Sequence, residues 1–160
     1  MATPACHWQR AINGEAHVAI KGVFMSLFSF SGKRPDNLGI NQGKLLACPS
    51  TPNCVCSQAD PSDKEHFIDP IASDKSPGEA ISALKAIIEA MERSTINDVT
   101  DDYLYAEFSS KLMGFVDDVE FYAGQSGVIH VRAAARLGKS DLGVNRKRVE
   151  DIREKFKGTN

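Results

Sequence analysis

The chain has 160 residues, and its 19 Lys and Arg against 21 Asp and Glu leave a net charge of -2, too small a field to recruit nucleic acid or anionic lipid non-specifically. A chain of this length folds as one domain and buries about two-thirds of its surface, so it needs neither metal nor disulfide for stability. With 42% hydrophobic and 25% charged residues, it is excluded from the membrane-spanning, collagen-like and wholly disordered classes.

Residues 1–24 show no apolar period and read as a disordered extension, with Met25 as the expected start of a single domain over residues 25–160. The uncharged run at residues 22–31 is far short of the roughly 20 apolar residues a membrane helix needs. Glu15 and the lack of a small-residue cleavage site speak against a signal peptide. Residues 32–74 are dense in Gly, Pro, Asn, Asp and Ser and read as a long irregular segment that is functional or wraps the core.

A helix begins at Ser76-Pro77-Gly78-Glu79, a capping box with Pro at the first helical position. Ala80, Ile81, Leu84, Ile87, Ile88 and Met91 form its apolar stripe. Three runs of period two follow, at residues 103–109, 115–122 and 128–136, the last two joined as a hairpin. Val149, Ile152 and Phe156 mark a second amphipathic helix over residues 144–157, stopped by Gly158. The expected fold is α+β: an antiparallel sheet of three or more strands, one face covered by two helices, behind the long Pro/Gly-rich segment.

Alternation puts Leu104, Ala106, Phe108, Phe115, Val119, Phe121, Ile129, Val131, Ala133 and Ala135 on one face. The other face collects Tyr105, Glu107, Asp118, Glu120, His130, Arg132 and Arg136. Such a face is either solvated and laced with cross-strand pairs, or the polar floor of a groove roofed by residues 32–74, with Arg132 and Arg136 offered to a carboxylate or phosphate. Asp117 falls on the apolar side and needs a rim position or a partner near a helix N-terminus.

The cysteines at C-x5-C-x-C lack the paired knuckles of a structural zinc site, so no metal is expected. Cys48 and Cys54 are either a disulfide or two buried thiols pinning a Pro-rich loop. The segment 136–148 leads from a strand into a helix. It either aims backbone N–H groups at an anion, or uses Gly138 and Gly143 for positive φ, Asp141 as a cap, and Asn145 and Arg146 to tie the helix to Asp117 or Asp118. It carries neither the phosphate loop of a P-loop nucleotidase nor a dinucleotide fingerprint.

Cys48-Pro49, Pro52-Asn53-Cys54, Asp117-Asp118, Glu120, Arg132, Arg136, Gly138, Asp141, Gly143 and Asn145-Arg146 together resemble the family called domain of unknown function fourteen-ninety-nine, over residues 28–156. The N-terminal part is most similar to cyanobacterial and plastid members. The chain departs from the family pattern at Cys56, and at Ala133 and Ala135, where an R-S-x-S-R pattern is common, so the resemblance carries no hydroxyl-based mechanism.

The expected function is a soluble non-catalytic binding module recognising a protein partner or small anionic ligand. The resemblance implies a role accessory to a photosynthetic or membrane complex. The alternative is a small hydrolase or transferase acting on an anionic substrate through Asp117, Asp118, Glu120, His130, Arg132 and Arg136. Asp141, Asn145 and Arg146 complete the candidate ligand-binding set. No cofactor, nucleic-acid partner or membrane span is expected, and the oligomeric state is left open. The expected location is cytoplasmic, with plastid or export as the alternative.

Overall fold

The computed structural model describes residues 30–159. The extension expected over residues 1–24, and Met25 as a start, lie outside the described residues. Six strands and two helices follow in the order β1 (Cys54–Cys56), β2 (Ile71–Ala72), α1 (Pro77–Glu89), β3 (Ser94–Val99), β4 (Tyr103–Ser109), β5 (Val116–Gln125), β6 (Val128–Ala135) and α2 (Val144–Lys157). All the strands form one antiparallel sheet in the order β1-β6-β5-β4-β3. β2 shares the outer edge of β6 with β1, pairing Ile71 with Ile129 while Cys54 pairs with Ala134. Among the described residues no helix is long and apolar enough to cross a membrane.

The expected alternation holds on β4, β5 and β6 except at Phe115, which precedes the first paired residue of β5 and is exposed instead of joining the core. Leu104, Ala106, Phe108, Val119, Phe121, Ile129, Val131 and Ala133 join Ile81, Leu84 and Ile88 of α1 and Val149, Ile152 and Phe156 of α2 in one core. Helix α1 starts where the capping box places it, the Glu79 carboxylate accepting from the Ser76 backbone N–H at 3.0 Å and from its hydroxyl. The β5–β6 hairpin is tighter than expected. β5 runs on to Gln125 through an irregularity after Tyr122, leaving only Ser126 and Gly127 at the turn.

Three strands are additions to the expected sheet. β1 and β2 lie inside residues 32–74, which are therefore not wholly irregular. β3 is an edge strand paired only with β4, and its mostly exposed Ser-Thr-Ile-Asn-Asp-Val run turns a single apolar side chain, Ile96, to the core.

The first part of the long segment crosses the other face of the sheet. Leu38 and Leu45 pack there with Tyr103, Tyr105 and Tyr122. Gln58 fastens this strap, its Oε1 accepting from Leu45 N at 2.8 Å and its Nε2 donating to Gly43 O at 3.0 Å.

Candidate functional site

The polar face is closed by the strap and internally neutralised. β5 presents Asp118 and Glu120, β4 presents Tyr103, Tyr105 and Glu107, and β6 with the residue after it presents Arg132 and Arg136, because period-two alternation stacks these positions on one side. Arg136 Nη2 donates to Asp118 Oδ1 at 2.7 Å and to Glu107 Oε1 at 2.6 Å, while its Nε reaches the two Asp118 oxygens at 3.1 and 3.0 Å. The Tyr105 hydroxyl lies 2.6 Å from Asp118 Oδ1 and 3.0 Å from Glu107 Oε1, and accepts from Arg136. From the strap, Arg34 bonds Glu107 and donates to Asn97 Oδ1 at 2.7 Å, with its guanidinium 5.2 Å from the Tyr105 ring centre.

The neighbouring Glu120 is fully enclosed. Its Oε1 accepts from the Tyr103 hydroxyl at 2.9 Å and from Gly39 N of the strap at 2.7 Å, and Arg132 approaches Oε2 at 3.4 Å. Arg132 Nε is buried without a hydrogen-bond partner, and is the one side-chain atom among the described residues in that state.

These contacts set the titration. Hydrogen bonds donated to Asp118 and then to Glu107 drive the Arg136 guanidinium still higher than an ordinary arginine against the effect of burial. Burial opposes the charge on Glu107, but bonds from Arg136, Arg34 and Tyr105 together outweigh it and hold that carboxyl below its usual range. Burial, reinforced by Asp118, pushes the Tyr105 phenol far up.

His130 stands apart from these acids. Its Nδ1 is 3.2 Å from Ser57 Oγ, which itself accepts from Val131 N at 2.9 Å, and burial lowers the imidazole below its ordinary value. The expected constellation is thus divided, and among the described residues no carboxylate is hydrogen-bonded to the histidine.

Asp117 lies on the opposite, helix-covered side and finds its partner in α2. Arg148 Nη2 is 2.8 Å from Asp117 Oδ2, and its guanidinium lies 4.8 Å from the Phe108 ring centre. Arg148 also donates to Asn145 Oδ1 at 2.6 Å. Burial nevertheless raises the Asp117 carboxyl, with Arg148 offsetting only part of the effect. Asp141, two residues before the N-cap Gly143, accepts from Gly143 N at 3.0 Å and from Asn145 N in the first turn at 2.8 Å, and Gly138 and Gly143 take φ of 89° and 79°. Asn53 joins this junction from β1, its Nδ2 donating to Ala135 O and Gly138 O at 3.2 and 2.9 Å. The expected tie from Arg146 to Asp117 or Asp118 is replaced by Arg148. Arg146 instead donates to the carbonyls of Phe67 at 2.9 Å and Glu65 at 3.0 Å, fastening α2 to the segment before β2.

Cys48 and Cys54 are joined by a disulfide, with Cα atoms 5.6 Å apart, and Cys56 is a buried free thiol raised by that burial. A cavity of about 300 Å³ beside them is lined by Lys44, Cys48, Cys56, Gln58, Asp63 and His66. His66 is oriented by other groups, its Nδ1 2.7 Å from Asp63 Oδ2 and its Nε2 3.3 Å from Thr51 O. It is held by this carboxylate and carbonyl, an arrangement that does not make it a base for the thiol. Among the described residues no group of three or more His, Cys, Asp or Glu is placed to hold a metal ion.

The residues that complete the polar cluster beyond those expected as ligand-binding are Tyr103, Tyr105, Glu107, Arg34 and Gly39. Period two signals Tyr103, Tyr105 and Glu107, whereas nothing local signals Arg34 or Gly39. The sequence model of a family described as "Protein of unknown function (DUF1499)" matches residues 44–156, more than half of the chain. No curated protein matches the chain.

Proposed function

We propose that this chain, which belongs to the DUF1499 family, is a non-catalytic binding module that recognises a protein partner as an accessory component. The observation that supports this reading is the internal pairing of the polar face. Asp118, Glu107 and Arg136 hold one another beneath the strap, and Glu120 is enclosed by Tyr103, Gly39 and Arg132, so the groups that would perform acid–base work are structural. The hydrolase or transferase alternative is less well supported, because His130 contacts Ser57 rather than any of these acids. One observation favours a small anionic ligand instead: the buried, unpartnered Nε of Arg132.

The Cys48–Cys54 disulfide supports an exported or plastid location with an oxidising lumen over the reducing cytoplasm. A photosynthetic or membrane complex is the proposed setting.

Thermal melts of the wild type in phosphate, in a dicarboxylate and in chloride at matched ionic strength test the reading. Equal melting temperatures are expected. A concentration-dependent rise that disappears in Arg132→Lys would replace the protein-partner reading with an anion site, since a ligand at a hundredfold excess over its Kd adds about 2.7 kcal/mol.

A further inference from the structure

We infer that the end of the sheet carrying the β4–β5 and β6–α2 connections is a surface that docks on an anionic lipid bilayer, an inference that rests on the binding-module reading above. Nine large hydrophobic residues are exposed among the described residues, and seven of them gather here: Phe30, Leu112, Met113, Phe115, Leu137, Leu142 and Val144. The backbone brings them together. Ser110 N donates to Phe115 O across the β4–β5 turn, and Arg136 N donates to Val116 O, so the two connections leave the sheet side by side. A mainly apolar hollow of about 200 Å³ between them is lined by Ser110, Phe115, Leu137, Ser140 and Val144, with Asp117, paired to Arg148, and Asp141, bonded to the start of α2, in its wall. Phe30 closes the third side with its ring 5.5 Å from that of Phe115.

The shape argues for lipid. Leu112 and Leu142 are 91% and 94% exposed at loop tips, projecting from the surface rather than lining a groove. A protein partner would have to carry pockets matched to these projecting tips, whereas the headgroup–acyl boundary accepts projecting apolar side chains without shape complementarity. Leu142 also sits at φ 55°, an unfavourable backbone conformation for a branched apolar residue that is held there with its side chain in water.

The charge is complementary. Lys111 adjoins Leu112, Lys139 follows Leu137 by two residues, and among the described residues neither forms an ion pair. The one acid in the β6–α2 loop, Asp141, is engaged with the N–H groups of Gly143 and Asn145. The net charge of -2 on the whole chain gives no long-range attraction, so the surface acts by inserting apolar tips, with the two lysines selecting anionic headgroups at contact.

The test is co-sedimentation of the full 160-residue chain with vesicles of phosphatidylcholine alone and of phosphatidylcholine mixed with phosphatidylglycerol. Wild type is expected to partition onto the mixed vesicles. The variant Leu112→Asp/Leu142→Asp should lose about tenfold or more of that partitioning with an unchanged melting temperature, because both side chains are in water in the fold. Lys111→Gln/Lys139→Gln should bind both vesicle types alike. Absence of wild-type binding overturns the inference, and so does equal binding by wild type and the aspartate variant, which would place the contact elsewhere in the chain. A wild-type dimer in size-exclusion chromatography that the aspartate variant dissolves would make the patch a self-interface and likewise overturn it. None of these outcomes touches the anion-dependent melts, on which the binding-module reading stands or falls separately.

Discussion

On the helix side of the sheet, Leu104, Val119, Phe121, Ile129 and Val131 are fully covered by hydrocarbon. On the strap side, Glu120, Asp118 and Arg132 are covered almost as completely, at 0%, 1% and 4% exposure. Both faces exclude water, yet what holds each together differs. Dispersion and desolvation of apolar surface act on the first, and depend on volume and fit. On the second, each charge is tolerated because a partner lies within hydrogen-bond reach, so stability there depends on completeness of pairing.

The largest expected effects separate these two mechanisms. Leu104→Ala should cost about 2 to 5 kcal/mol and Leu104→Met under about 1.5, because Met restores most of the volume. Arg136→Ala should cost about 3 to 5 kcal/mol, and Arg136→Met about as much, because neither supplies a charge to Asp118 and Glu107. Urea denaturation of the four variants measures this. A methionine at position 136 that restores stability would show that the strap side, too, is held by packing.

The disulfide comes next. Joining Cys48 to Cys54 closes a short loop that anchors the strap to the outer edge strand β1, and opening it should cost about 2 kcal/mol through the unfolded chain. Denaturation with and without reductant reads the loss. Mass spectrometry after alkylation in denaturant without reductant should find Cys56 labelled and Cys48 and Cys54 blocked. The penalty is expected equally in the Arg136→Ala background, since the disulfide and the ion network share no side chain.

Gly32 tests the fit of the strap's start against the strap-side cluster. It sits at φ 66°, and a Cβ there would lie 2.9 Å from Arg136 Cβ and 3.1 Å from Leu137 Cγ. Gly32→Ala is therefore expected to cost about 1 to 2 kcal/mol from backbone conformation, with a further contribution from displacing Arg136. An equivalent change on the helix side has no such route to the ion network. Melting temperatures of Gly32→Ala alone and combined with Arg136→Ala distinguish the two contributions, which should be less than additive.

The difference between the faces also explains which features were legible in the amino-acid sequence. Leu104, Ala106 and Phe108 alternate with Tyr103, Tyr105 and Glu107, so β4 and its two faces follow from period two alone, and Ser76 with Glu79 marks the start of α1 through a three-residue contact. Local rules reach that far. β3 escaped because an edge strand with one partner and little burial turns only Ile96 to the core and so shows no alternation. Arg34 meets Glu107 across 73 positions, and Gly39 meets Glu120 across 81, so the closure of the polar face was invisible to any local pattern. The spacing of Cys48 and Cys54 permits a bridge or two thiols equally, and only the Cα separation decides between them. Arg148 rather than Arg146 reaches Asp117 because α2 turns by about 100° per residue, which sends positions two apart to nearly opposite sides.

The smallest expected effect gives the two faces opposite signs in acid. Glu107, on the strap side, is held below its usual range by bonds from Arg136, Arg34 and Tyr105 that outweigh its burial. As pH falls, the unfolded chain takes up this proton first, so the stability that Glu107 contributes is present above the ordinary carboxylate range and is lost through its lower folded pKa. Asp117, on the helix side, is raised by burial despite Arg148. There the folded protein takes up the proton first, so stability rises as pH falls from the raised folded value to the ordinary one. The wild-type acid limb is the sum of these opposed slopes. Glu107→Gln should flatten the fall in stability below pH about 5, and Asp117→Asn should steepen it, whatever either does to stability at neutral pH. Urea midpoints at a series of acidic pH values supply the slopes. If Asp117→Asn flattens the limb as Glu107→Gln does, the Arg148 pair outweighs burial at Asp117, and the helix side holds its one carboxylate by the same pairing that governs the strap side.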